Sequence, residues 1–196
     1  MNELEPIEPL PPTETPPPAA PPRRPGWAFG ALRELLETLL PAAIIAILVN
    51  LFLAQSTVVL GQSMETNLHE NQRLITEKVS YWTHGPQRGD VVVLSPPPNC
   101  GVIPLIKRVV ALPGERIEIR NGFIYIDGQL LDEPYITARD HYEMPAQVVP
   151  PMSVFVMGDN RGASNDSRAF GPIAAKTILG RAWISYWPLS ELKVIR

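Results

Sequence analysis

Three regimes of hydropathy follow one another along this chain of 196 residues. Over 1–25, MNELEPIEPLPPTETPPPAAPPRRP, acidic residues and prolines dominate and no apolar period appears. Proline fixes φ and withholds a backbone donor, so this stretch predicts neither helix nor sheet, but a disordered, partly polyproline-like tail. From Thr38 to Met64 no charged residue occurs. A helix needs about 20 apolar residues to cross a hydrocarbon core, and the segment from Leu35 to Ala54 has that length. Beyond Thr57 the pattern breaks into short β-branched runs: STVVL, RLITEKVSYW, GDVVVLS, LIKRVVAL, RIEIRNGFIYIDGQLL, SVFVMGD and GRAWISYW. These read as strands, with turn chemistry in HGPQRG, PPPNCG, LPGE and NRGASND between them. The Asn-Gly and Asp-Gly pairs in RNGF and IDGQ predict tight hairpins.

The expected fold class is mostly β: one N-terminal transmembrane helix followed by an antiparallel, barrel-like sheet domain. The expected boundaries are a proline-rich tail over 1–30, an anchor over 31–56 and a β-rich domain over 57–196. Arg23, Arg24 and Arg33 precede the apolar segment, which puts the N-terminus in the cytoplasm and the β domain outside. Two other readings of the segment stand beside the anchor. A cleaved signal peptide would use AQS at Ala54 to Ser56, although its leader would be shorter and basic. A buried core helix would be amphipathic, whereas this one is apolar on nearly every face.

Composition narrows the classes. A net charge of -3 provides no basic field for nucleic acid. The single cysteine, Cys100, excludes an internal disulfide, and His69, His84 and His141 have no metal-ligand spacing, so neither metal nor cofactor is expected.

The candidate chemistry lies in three places. Ser63 stands in GQSMETNL, directly after the apolar segment, with no Gly-x-Ser-x-Gly elbow around it. The three histidines occupy polar or turn settings and read as exposed loop residues rather than bases. In VIPLIKRVVALPGE, strand alternation puts Leu105, Lys107 and Val109 on one face and Ile106, Arg108 and Val110 on the other. Lys107 is thus flanked by apolar neighbours that would lower its pKa towards that of a usable base. A water-accessible edge lysine is the alternative. The third place is GDNRGASNDSRAFG, Gly158 to Gly171, which is dense in hydrogen-bonding side chains.

In this order, GQSME, LIKRVVALPGE and GDNRGASNDSRAFG resemble the motif set of bacterial type I signal peptidases, membrane-anchored serine proteases with a Ser/Lys dyad, and RGDVVVL resembles a further box of that family. The resemblance covers most of 57–187. It implies Ser63 as nucleophile, Lys107 as general base, and Ser164 as the serine that orients the lysine. It further implies Asp166 and Arg168 as a supporting ion pair with Arg108 beside it, the Ser63 N–H as an oxyanion donor, and Met64 packed beside the nucleophile. Val59, Met64, Leu68, Leu105 and Ile106 match the walls of shallow pockets that admit small residues before the scissile bond.

The implied activity is removal of signal peptides from exported preproteins at the cell membrane. The partners would be preproteins and membrane lipid near the secretion translocon, with no nucleic acid and a monomeric chain. Trp183, Tyr186 and Trp187 are candidates for resting at the membrane interface. Two departures stand out. Gly61 replaces a serine that many relatives use to donate to the oxyanion, and Thr66 and Asn67 replace the usual Pro-Thr. Thr66 and Asn67 leave open a catalytically impaired, membrane-tethered β domain that binds signal peptides or envelope partners. A soluble self-cleaving repressor with a Ser/Lys dyad is disfavoured by the apolar segment and by the lack of a DNA-binding helix pair.

Overall fold

The structure, a computed structural model, describes residues 26–49, 54–98 and 100–195. The expected tail over 1–25, with Arg23 and Arg24, lies outside the described residues, as do 50–53 of the expected anchor. The chain divides into two units, 1–42 and 43–196.

Helix α1, Gly26–Leu48, carries Arg33, Glu34 and Glu37 in its first half, with an Arg33–Glu37 ion pair at 2.7 Å one turn apart. Pro41 lies inside it. Its large apolar side chains are uncovered: Leu36, Leu40, Ile45 and Ile47 are each more than half exposed. Among the described residues, no helix is long and apolar enough to cross a membrane. Ala54 to Ser56, expected at the end of the anchor, open a strand instead.

Beyond α1 the described chain folds into two antiparallel sheets. In order, the elements are β1 (Ala54–Val58), β2 (Arg73–Glu77), α2 (Ser80–Thr83), β3 (Val91–Leu94), β4 (Leu105–Ala111), β5 (Arg116–Arg120), β6 (Phe123–Ile126), β7 (Gln129–Leu130), β8 (Met144–Val148), β9 (Ser153–Met157), α3 (Ser167–Phe170), β10 (Ile173–Ala174), β11 (Ile178–Trp187) and β12 (Lys193–Val194). The larger sheet has eight strands in the order β1-β2-β11-β3-β4-β9-β10, with β12 on β11; the smaller has the order β7-β6-β5-β8.

The two hairpins of the smaller sheet turn where the sequence predicts. Asn121 and Gly122 have φ of 47° and 77°, and Asp127 and Gly128 have 52° and 83°, the left-handed pairs that match the twist of antiparallel strands. The run RLITEKVSYW is shorter as a strand than it reads, because Ser80–Thr83 close into α2.

The apolar runs VVVL and LIKRVVA are central strands with both faces covered. Alternate residues of β3 enter two core clusters: Val91 and Val93 join Met64, Leu68, Leu74 and Ile106, while Val92 and Leu94 join Val109, Val154 and Val156. A third cluster under the smaller sheet gathers Ile117, Ile119, Ile124, Val110 and Phe155. Trp183 and Trp187 on β11 are 47% and 53% exposed, and Tyr186 Oη lies 2.8 Å from Ser56 Oγ.

Candidate active site

Ser63 sits on a tight turn between β1 and β2. Glu65 N donates to Gln62 O at 3.2 Å and Leu68 N to Met64 O at 2.8 Å. Met64 and Leu68, each 1% exposed, anchor the turn in the core and leave the partly buried Ser63 at its crest. Gly61 has φ of 80°, a conformation glycine adopts without strain, and its N–H donates to Glu70 Oε1 at 3.2 Å.

Lys107 comes from the middle of β4. Leu105 and Val109, two residues to either side, both pack into the cluster around Val92 and Val154. The lysine is 3% exposed, and its Nζ donates to Ser63 Oγ at 2.7 Å. Burial pulls its pKa from 10.5 down to about 8. Asp166 and Asp159 oppose that shift, while Arg168 adds to it.

The loop after β9 supplies the rest. Asp166 caps α3 and takes a fork from Arg168, Nε to Oδ1 at 2.9 Å and Nη2 to Oδ2 at 2.9 Å, together with Gly158 N–H at 3.0 Å. Burial alone would raise the Asp166 pKa, but these donors and the guanidinium charge outweigh it and hold the carboxyl below its usual value. Arg168 also reaches Asp140 at 2.5 Å and Arg161 O at 2.7 Å.

Arg108, which the resemblance puts beside the Asp166–Arg168 pair, grips a different carboxylate. It faces Asp159 in a separate fork, Nε to Oδ1 at 2.8 Å and Nη2 to Oδ2 at 2.7 Å, with both side chains at most 2% exposed. Tyr135 stacks on its guanidinium at 4.1 Å. The physical reason is register: Arg108 pairs with Met157 across β4 and β9, two residues before Asp159.

Ser164 Oγ is buried; it makes no hydrogen bond to Lys107, and it lies near enough to the Asp166 carboxyl to help hold that pKa down. It packs on Gly158, where an added Cβ would lie 2.3 Å from Ser164 Oγ and 2.4 Å from Ser63 O. Gly158 therefore lets the loop and the Ser63 turn close on each other, a role its sequence position does not reveal. Asn160 completes the contact, with its N–H donating to Ser63 O at 3.0 Å and its Nδ2 to Gln62 O at 3.1 Å.

Of the five expected pocket residues, Val59, Met64, Leu68 and Ile106 share one buried cluster, and Leu105 packs against another. His69, His84 and His141 are exposed; His84 Nδ1 bonds Gly85 O and His141 Nδ1 bonds Asn121 Oδ1. Cys100 Sγ touches Asn165 Nδ2 at 3.9 Å. Among the described residues, no group of three or more His, Cys, Asp or Glu is placed to hold a metal ion.

The model of the family described as signal peptidase, peptidase S26, matches residues 32–187. A probable signal peptidase I-1 from Synechocystis sp. is 41% identical over 171 residues, which cover 84% of this chain and 86% of that protein. Signal peptidase I of Leptolyngbya laminosa is 36% identical over 188 residues, 92% of each. A crystal structure of a signal peptidase I from Enterococcus faecalis V583 is 32% identical with a TM-score of 0.42, over 49% of this chain and 95% of that one.

Proposed function

This chain belongs to the signal peptidase family, peptidase S26, and from that premise we propose that it removes signal peptides from exported preproteins through a Ser63/Lys107 dyad. It is a serine endopeptidase, a peptide-bond hydrolase. The observation that carries the assignment of the dyad is the 2.7 Å contact between Ser63 Oγ and a lysine that is 3% exposed.

Neutral Lys107 takes the proton of Ser63 Oγ as the oxygen attacks the scissile carbonyl. Developing charge on the carbonyl oxygen falls to backbone donors of the turn, the Ser63 N–H among them. Lys107 then gives the proton to the leaving amine, and an acyl group remains on Ser63. Water, deprotonated by Lys107, attacks that ester and restores the hydroxyl. The three exposed histidines have no step in this sequence.

The preference for small residues before the bond is read from the floor of the site. Val59, Met64, Leu68 and Ile106, gathered in one buried cluster with the Ser63 turn, are proposed as the walls that would favour small residues before the bond.

Anchoring in the membrane is part of the same proposal. It rests on the charge-free run from Thr38 up to the start of β1 and on the uncovered leucines and isoleucines of α1. Trp183 and Trp187, exposed on β11, would meet the interface. An anchor holds the site near emerging signal sequences and raises their effective concentration.

The dyad is tested by hydrolysis of a signal-sequence peptide in detergent. Ser63→Ala and Lys107→Met are each expected to abolish turnover, and a wild-type rate in either sinks the assignment.

A further inference from the structure

The turn that carries Ser63 is fixed from two sides by neighbouring residues of one segment. Asn160 holds its first half through Ser63 O and Gln62 O. The second half is held by Asn67, whose Nδ2 donates to Asp159 Oδ2 at 2.8 Å and to Tyr135 O at 2.9 Å. Asp159 is the carboxylate gripped by Arg108, and Arg108 follows Lys107 on β4. A continuous line of polar contacts thus runs from the turn of the nucleophile to the strand of the base. Its middle, the Arg108–Asp159 pair, is buried, and a buried charge pair tolerates little displacement.

We propose that Asn67 is a positioning residue, whose amide ties the Ser63 turn to the Arg108–Asp159 pair and so sets the approach of Ser63 Oγ to Lys107 Nζ. This rests on the reading of Ser63 and Lys107 as nucleophile and base. An amide suits the place because one nitrogen offers two hydrogens to acceptors on two different segments. A hydroxyl offers one, and a carboxylate none. The bond to Asp159 is charge-assisted and the stronger of the two in kind. The departure from Pro-Thr at Thr66 and Asn67 therefore puts a two-donor amide where a threonine hydroxyl would offer one donor.

The full chain in detergent, cleaving a signal-sequence peptide, provides the test. Ser63→Ala is measured first: a wild-type rate there defeats the dyad reading itself, separately from any result at Asn67. With the dyad standing, Asn67→Ala and Asn67→Asp are each expected to lower kcat about tenfold, the scale of one charge-assisted hydrogen bond. KM should stay within about twofold, because no substrate contact is removed.

A loosened turn also admits water to Lys107. Asp159, Asp166 and Arg168 face that lysine, and none of them is removed. The pH at half-maximal kcat should therefore rise towards the ordinary lysine value. A purely structural role would lower the melting temperature without moving that midpoint. Unchanged kcat, or a lowered kcat with an unmoved midpoint, overturns the proposal. If those variants do not fold, Asn67→Thr decides: its single donor is expected to give an intermediate rate, and wild-type kcat and midpoint would overturn the proposal.

Discussion

At the scale of the residue, Lys107, as the proposed base, would set the activity, and its burial carries a cost in stability. Its pKa of about 8 means that the neutral base is populated as pH rises, so kcat should climb about tenfold per unit below pH 8 and level off above it. A pH–rate profile that is flat from 6 to 9 would contradict this. The same shift opposes folding. The unfolded lysine binds its proton up to about 10.5 and the folded one only to about 8, so the unfolded state is favoured by about 3 kcal/mol below pH 8. The cost fades as pH rises from 8 to 10.5, because there only the unfolded state still holds the proton. Lys107→Met is accordingly expected to show a higher urea midpoint than wild type at pH 7, with the difference narrowing by pH 10. A lower midpoint at pH 7 would mean that the hydrogen bond to Ser63 outweighs the burial of the charge.

At the scale of the element, the stretch between β7 and β8 binds the smaller sheet to the catalytic loop. Glu133 is buried against Arg161 of that loop, takes Arg139 at 2.9 Å, and accepts from Tyr135 Oη at 3.1 Å. Asp140 reaches Arg168, and Tyr135 covers Arg108. Glu133→Gln keeps the shape but leaves the Arg161 guanidinium buried without its countercharge, which should cost about 3–5 kcal/mol in denaturant unfolding. A loss under about 1 kcal/mol would show that water reaches the Arg161 guanidinium and replaces the lost countercharge.

The same elements show what the sequence discloses and what it hides. The hairpins β5–β6 and β6–β7 are legible because Asn-Gly and Asp-Gly encode their turns locally. Strand β8, Met144–Val148, is hidden because MPAQV lacks β-branched alternation and contains Pro145; it becomes a strand through its edge pairing with β5. Ser63 and Lys107 could be picked out by motif and by apolar flanks. The Arg108–Asp159 fork could not, since it depends on the register between β4 and β9. Asn67 reads as a departure until Asp159 and Tyr135 are brought beside it.

At the scale of the whole molecule, distant stretches of chain converge on one serine: the turn at 61–67, strand β4, the segment at 131–143 and the loop at 158–168. Core packing presents Ser63, and buried ion pairs hold the loops that surround it. The proposed anchor is tested on the same whole chain. Membranes washed with alkaline carbonate should retain it, and release into the supernatant would remove the anchor from the proposal.

The burial of Lys107 has a further consequence for the cell. At pH 7 a base with a pKa of about 8 is neutral in about one molecule in ten, and at pH 6 in about one in a hundred. The working population is thus a small fraction governed by the acidity of the aqueous compartment that bathes the site. Acidification by one unit would lower the neutral fraction about tenfold with no change in the amount of enzyme. The rate of the proposed reaction would then follow the proton concentration of that compartment through a single amine.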